Sequence, residues 1–289
     1  MQKLINEGKL GRAVVDRFVA GEDLEDAIQA IKDLNSKNIG GILDLLGEGV
    51  VDSAGVDSAV ADYLAAIKRI DETGIDTTIS VKPTQLGISF DKGRALDLLR
   101  RLAAEAQAVG SRVEIDIEQS DYVSDTLDLY RTLHADFPEL RLAMQAYLRR
   151  TPVDLQLMAP LRPRIRLVKG AYAEPEAVAF QKKSEVDAQY AFLIDWLFEQ
   201  GTDPAIASHD HVLIEHAKNA AARTGAGKEG LEIQMLYGIR RDMQEELARE
   251  GFRVRVYVPY GSAWYPYLMR RMAERPANIG FFLRALRGR

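Results

Sequence analysis

Residues 112–147 read RVEIDIEQSDYVSDTLDLYRTLHADFPELRLAMQAY. The first six, Arg112–Ile117, alternate polar and apolar side chains, which is the period-2 pattern of a strand. From Ser124 to His134 the apolar residues return at helical spacing, and Pro138 marks a stop. Arg141–Tyr147 is a second apolar run, so the segment predicts one β–α–β unit. The same alternation extends in both directions. Strands are predicted at Ile39–Leu46, Thr77–Lys82, Arg164–Lys169, Pro204–His209, Leu231–Leu236 and Arg253–Val258. Helical stretches fill the gaps at Val56–Asp71, Asp91–Val109, Val153–Met158, Glu185–Gln200, His211–Thr224 and Asp242–Arg249. Gly74, Gly110, Gly201, Gly230 and Gly251 sit where these helices must stop.

Eight β-then-α units without an obvious linker predict an α/β protein, a single (β/α)8 TIM barrel covering residues 1–289. At ~150 residues per domain, a chain of 289 residues would suggest two domains, but such barrels routinely use about 250 residues for one. A doubly wound sheet is the alternative. It would show a Gly-rich phosphate turn after its first strand, and Leu46-Gly47-Glu48-Gly49 is too short for that. Two helical stretches exceed the barrel: residues 2–33, within a helical extension assigned to 1–35, and Ala263–Arg287.

Composition narrows the function. There are 38 Lys and Arg against 43 Asp and Glu, a net charge of −5, which argues against a nucleic-acid footprint. The absence of Cys removes disulfides, thiolate metal sites and a Cys nucleophile. No apolar run approaches the ~18 residues of a spanning helix, and the opening MQKLINEGKLGR lacks the apolar core of a signal peptide. A soluble, cytoplasmic protein is expected, its oligomeric state left open.

In a barrel the chemistry gathers at the carboxyl ends of the strands. Those ends carry Asp44, Lys82, Asp116, Gln145, Lys169, His209, Gln234 and Tyr257, and Arg166 lies inside the fifth strand. Charges there are costly to bury unless acids or an anion meet them. Ion pairs with Asp44, Asp116 and Glu118 are the simplest partners. His209-Asp210-His211 offers an H-x-H, but no third ligand is evident, so no metal is expected. Lys82 or Lys169 would suit a Schiff-base lyase if desolvation lowered its pKa. A catalytically inert binding barrel is the third reading. Arg270-Arg271, on the helix after the last strand, suits a carboxylate, or a solvated face with Glu274 paired to Arg270.

The motifs, taken in order, resemble those of the proline dehydrogenase family in its monofunctional bacterial form. They are Leu43-Asp44-Leu45-Leu46-Gly47-Glu48, Ser80-Val81-Lys82-Pro83-Thr84-Gln85-Leu86-Gly87, Ile115-Asp116-Ile117-Glu118 and Met144-Gln145-Ala146-Tyr147-Leu148. Arg166-Leu167-Val168-Lys169-Gly170-Ala171-Tyr172, Ala207-Ser208-His209-Asp210, Gln234-Met235-Leu236-Tyr237-Gly238 and Tyr257-Val258-Pro259-Tyr260-Gly261 continue the series. It closes with Tyr267-Leu268-Met269-Arg270-Arg271-Met272-Ala273-Glu274-Arg275-Pro276-Ala277-Asn278. The resemblance implies a distorted barrel with its last helix over the mouth and FAD at the strand ends. It implies oxidation of L-proline to 1-pyrroline-5-carboxylate by hydride transfer to flavin N5. Electrons then pass to a quinone, with peripheral membrane contact.

By the same resemblance Ile117, Gln145, Arg166, Lys169, Gly170, Ala171, Ser208 and His209 bind FAD. Lys82, Asp116, Tyr172, Leu236, Tyr257, Arg270 and Arg271 form the proline pocket. Asp116 and Arg166 are the implied catalytic pair, one balancing the carboxylate clamp and the other stabilising charge on the reduced ring. Glu48, between Gly47 and Gly49, is implied to pair with Arg270 as a gate. Pro83 stands where relatives often carry Leu, which predicts a different bend after Lys82. Ser208 keeps the hydroxyl of a frequent Thr.

Overall fold

The computed structural model describes residues 15–273 and leaves aside the side chains of 270–273. Eight parallel strands close into a barrel in sequence order. They are β1 (Gly40–Leu45), β2 (Thr77–Val81), β3 (Val113–Ile115), β4 (Arg141–Gln145), β5 (Ile165–Val168), β6 (Ala205–Ala207), β7 (Glu232–Leu236) and β8 (Arg253–Tyr260). Closure is direct, since Leu43 stands opposite Ile79 of β2 on one side and Val258 of β8 on the other. The helices are α1 (Leu24–Asn35), α2 (Ser53–Thr73), α3 (Lys92–Ala108), α4 (Ser120–His134), α5 (Thr151–Met158), α6 (Lys183–Gln200), α7 (His211–Arg223), α8 (Arg241–Arg249) and α9 (Trp264–Ala273). All eight expected strands are present.

Local chemistry sets the ends. Asp52 caps α2 by accepting from the Gly55 N–H at 2.8 Å, and Gly74 ends it in the left-handed region, φ 63°. Helix α4 starts at Ser120, four residues earlier than its apolar spacing predicts. The carboxylate of Glu174 accepts from both the N–H and the hydroxyl of Ser120, each at 2.7 Å. That supplies the acceptor a helix start needs.

Alternation along the strands separates two environments. Ile79, Val81, Val113, Ile115, Leu142, Leu167, Ile233 and Val256 belong to the apolar core shared with the helices. The intervening residues point inward, and many are charged: Glu114, Asp116, Arg141, Arg166 and Glu232 are all buried. Such interiors are ordinarily filled by branched apolar side chains. This one is filled by ion pairs.

The ends of the chain depart from the regular plan. Helix α1 packs along β1 and β8 on the outside of the barrel, with Ile31 against Gly41. Helix α9 goes to the mouth. Its Trp264, Tyr267 and Leu268 form a separate apolar cluster with Phe18, Val19 and Leu46, and Ile239 packs against it. Leu46 and Ile239 leave the carboxyl ends of β1 and β7, so α9 lies on the carboxyl-end rim of the barrel. Residues 1–14 and 274–289, with Glu274 of the Arg270–Glu274 spacing, fall outside the described residues.

Candidate active site at the carboxyl ends of the strands

The mouth of the barrel is organised around Asp116, one residue past β3. Its Oδ1 accepts from Ser80 Oγ at 2.8 Å and from Arg166 Nη2. Its Oδ2 accepts from Tyr257 Oη at 2.7 Å and lies 3.4 Å from Lys82 Nζ. Burial alone would raise this carboxyl, but Arg166, Lys82 and the hydrogen bonds from Tyr257 and Ser80 hold it below the usual aspartate range. These partners favour the ionised form of Asp116. The Tyr257 hydroxyl is pushed well above its ordinary value by burial and by Asp116 and Asp44, and stays a donor.

Lys82 follows β2 and forms an ion pair with Asp44, which is 1% exposed. Pro83 takes the first position of a 3-10 turn, Pro83–Leu86, with Lys82 before it. With the chain turning there, Lys82 stays buried in the barrel. Burial pulls its pKa down, but Asp44, Tyr257 and Asp116 more than offset this and hold the ammonium well above its ordinary value. A Schiff-base nucleophile needs the opposite shift, so the lyase reading loses Lys82. Asp44 was legible as a strand-end acid fit for an ion pair, but its pairing with Lys82, 38 positions away, was not.

Arg166, 4% exposed, donates from Nη2 to Asp116 and from Nη1 to Glu114 Oε2 at 3.4 Å. Its guanidinium carbon lies 5.3 Å from the centre of the Tyr257 ring. Its Nε is buried and has no partner among the described residues. Gln145, at the end of β4, shows the complementary condition. Its Nε2 donates to the carbonyls of Ile117 at 3.3 Å and Glu118 at 3.2 Å. Its Oε1 is buried with no donor among the described residues. One donor and one acceptor are thus left unspent on neighbouring strands, where an unsatisfied group costs about 1–3 kcal/mol.

The remaining expected residues lie past the carboxyl ends of β5 and β6. His209 Nε2 accepts from the Leu236 N–H at 2.9 Å, which assigns the ring proton to Nδ1. Ser208 is buried, and its hydroxyl accepts from the Asp210 N–H at 3.1 Å. Gly170 has φ +121°, and a Cβ there would fall 2.1 Å from the Tyr147 ring, so only glycine fits this turn after β5. Ala171 and Tyr172 continue that loop, and the Tyr172 carbonyl accepts from Tyr147 Oη at 3.2 Å.

Two pairings differ from expectation. Lys169 turns to Asp187 at 2.6 Å and Asp210 at 3.5 Å rather than to Asp44, Asp116 or Glu118. Glu118 pairs with neither Arg166 nor Lys169. It accepts from Thr84, from N–H at 2.9 Å and from Oγ1 at 2.6 Å. Glu48 is half-buried in the loop after β1. Arg270 and Arg271 lie on α9, and their side chains are outside the described residues. No group of three His, Asp or Glu that could hold a metal ion occurs among the described residues.

Comparison with known proteins gives this site its family. Residues 27–284 match the proline dehydrogenase family. The chain belongs to the proline dehydrogenase family. A proline dehydrogenase of Deinococcus radiodurans is 40% identical over 278 residues, covering 94% of this chain and 90% of that one. Proline dehydrogenase 1 of Bacillus subtilis subsp. natto is 39% identical over 270 residues, covering 93% and 89%. The solved structure of proline utilization A from Bdellovibrio bacteriovorus superposes with a TM-score of 0.85 at 24% identity over 91% of this chain. It shares the fold, and the present chain spans 33% of its length. The protein is an oxidoreductase that carries out the first step of proline catabolism.

Proposed function

We propose that this enzyme oxidises L-proline to 1-pyrroline-5-carboxylate with FAD held across the carboxyl ends of β4, β5 and β6, and passes the electrons to a quinone. The observation that carries the reading is the unspent pair, Arg166 Nε and Gln145 Oε1. A flavin ring offers acceptors and an imide N–H, the two kinds of group this pair lacks. Bound flavin supplies the hydride acceptor for the ring carbon beside the proline nitrogen.

The chain's own residues bind, orient and exclude water. Ile117, Gln145, Lys169, Gly170, Ala171, Ser208 and His209 hold the cofactor with Arg166, whose fixed charge stabilises negative charge gained on reduction. Lys82 has three N–H donors. Asp44 accepts from one of them and Asp116 lies 3.4 Å from the nitrogen as an ion pair, which leaves donor capacity for the substrate carboxylate beside Arg270 and Arg271. Tyr172, Leu236 and Tyr257 form the walls around the pyrrolidine ring. Asp116, kept ionised, holds the cations of the clamp in place. The loop from β1 to α2 closes over bound proline through Glu48 and Arg270. Quinone reduction at the cytoplasmic face of the membrane belongs to the same reading. Among the described residues no helix is long and apolar enough to cross a membrane.

Anaerobic addition of proline to the FAD-loaded enzyme should bleach its flavin absorbance. Pyrrolidine, which lacks the carboxylate, should do so far more slowly. Each charged hydrogen bond is worth about 1.5–3 kcal/mol, so a clamp of three cations discriminates by several orders of magnitude. A protein that takes up no flavin refutes the cofactor reading, and equal bleaching by pyrrolidine refutes the clamp.

A further inference from the structure

The turn Pro83–Leu86 is buried throughout and lies directly beneath the loop that carries Glu48. It touches that loop on both sides of Glu48. Gln85 Nε2 donates to the Leu45 carbonyl at 3.4 Å, and a Cβ on Gly47 would fall 2.8 Å from the same nitrogen. On the other side the Gly49 N–H donates to Thr84 Oγ1 at 3.3 Å. Gln85 is itself held by the Tyr63 hydroxyl, which also accepts from the Lys82 N–H at 3.3 Å.

Thr84 is the pivot. It is 2% exposed, and its hydroxyl proton is committed to Glu118 Oε1 at 2.6 Å. A hydroxyl has one proton and two lone pairs. With the proton directed at Glu118, a lone pair is left for Gly49. Glu118 is 1% exposed and also takes the Thr84 N–H, so the side chain that orients Thr84 is fixed by two bonds. The charged groups facing Glu118 are Lys82 and Asp116. The end of β2, the end of β3 and the Glu48 loop therefore meet at one hydroxyl.

We propose that Thr84, oriented by Glu118, is a positioning residue that sets the pose of the β1–α2 loop and thereby the affinity for proline. Thr84 touches neither reacting group. The inference rests on the reading that this loop closes over the site, and the experiment separates the two. Thr84→Val keeps the shape and removes the hydroxyl, while Thr84→Ser keeps the hydroxyl. Thr84→Val should raise KM for proline roughly two- to tenfold, the value of one neutral hydrogen bond. Flavin reduction at saturating proline, FAD content and flavin potential should hold at wild-type levels, and Thr84→Ser should restore KM. Hydrogen exchange at the Gly49 amide, measured without proline, should speed up in the Val variant only. A purely structural Thr84 would lower thermal stability and leave KM unchanged, which overturns the proposal. Glu48→Ala is the control: a wild-type KM there refutes loop closure itself, whereas a raised KM in Glu48→Ala with a wild-type KM in Thr84→Val refutes only the role of Thr84. Should Val prevent folding, Thr84→Cys, a weaker hydrogen-bonding group of similar volume, must show an intermediate KM, and a wild-type value overturns the proposal equally.

Discussion

At the scale of one residue, Arg166 was legible because a charge inside an apolar strand needs a reason. Of its partners, Asp116 was among the acids expected and Glu114 was not. Glu114 and Asp116 lie 52 and 50 positions away, and only the barrel brings β3 and β5 face to face. The alternation of Glu114, Asp116 and Glu118 along one run was the available signal, since side chains two apart share a strand face. Arg166→Met removes a fixed positive charge beside the proposed flavin ring. The flavin midpoint potential should fall and hydride transfer should slow, with proline affinity less affected. The variant also leaves Glu114 and Asp116 short of a counterion, so a stability loss of about 3–5 kcal/mol is expected. Potentiometry on the FAD-loaded variant separates these effects. An unchanged potential in a folded variant would remove Arg166 from the chemistry and leave it a structural cation.

At the scale of elements, alternation and helical spacing found every strand, and glycine marked most helix ends. Strand ends were read too long at Leu46, Lys82, Asp116-Ile117, Ala146-Tyr147, Lys169 and Ser208-His209, where the apolar or alternating pattern outlasts the ladder, and too short at β8, which runs to Tyr260. The start of α4 was read too late, because its cap comes from Glu174, 54 residues away. Lys169 was placed at the right rim but given the wrong acids, since Asp187 and Asp210 come from the chain after β5 and β6. The turn after β5 yields a prediction at this scale. Gly170 combines φ +121° with the Tyr147 ring where a Cβ would stand. Gly170→Ala must either strain the backbone, at roughly 1–3 kcal/mol, or displace Tyr147 and the loop carrying Ala171 and Tyr172. Thermal stability should fall by that order, and FAD content should fall with it. A variant with wild-type melting and full flavin would show that the turn relaxes freely and does not shape the cofactor site.

At the scale of the whole molecule, the barrel interior is a column of alternating charge. From the mouth inward it runs Asp44, Lys82, Asp116, Arg166, Glu114, Arg141 and Glu232. Arg112, Arg253 and Arg255 surround Glu232 at the floor. Hydrophobic burial is only weakly dependent on pH, but this column is not, and the sign follows from its members. Burial alone would raise Glu114, Asp116 and Glu232, yet the arginines around them, with Lys82 at Asp116, hold all three below their ordinary values. A carboxyl lowered in the folded state adds stability above its unfolded pKa of about 4 and loses it as pH falls through the folded value. Glu118, raised chiefly by burial, has the opposite sign: its contribution fades as pH rises from about 4 through its higher folded value. Three groups outweigh one, so stability should be steady near neutrality and fall steeply below about pH 4. Each proton taken up contributes about 1.4 kcal/mol per pH unit. Glu232→Gln tests the column at its floor. It removes the negative charge facing Arg141, Arg112, Arg253 and Arg255 while keeping an acceptor oxygen, so the neutral-pH stability should drop by about 3–5 kcal/mol. Because one of the three acids is gone, the slope of stability against pH in acid should also become shallower. Chemical denaturation across pH measures both quantities in one series. A variant with the parental acid slope and undiminished neutral stability would mean that water or neighbouring carbonyls balance the floor arginines, and that the column is not what holds the barrel closed.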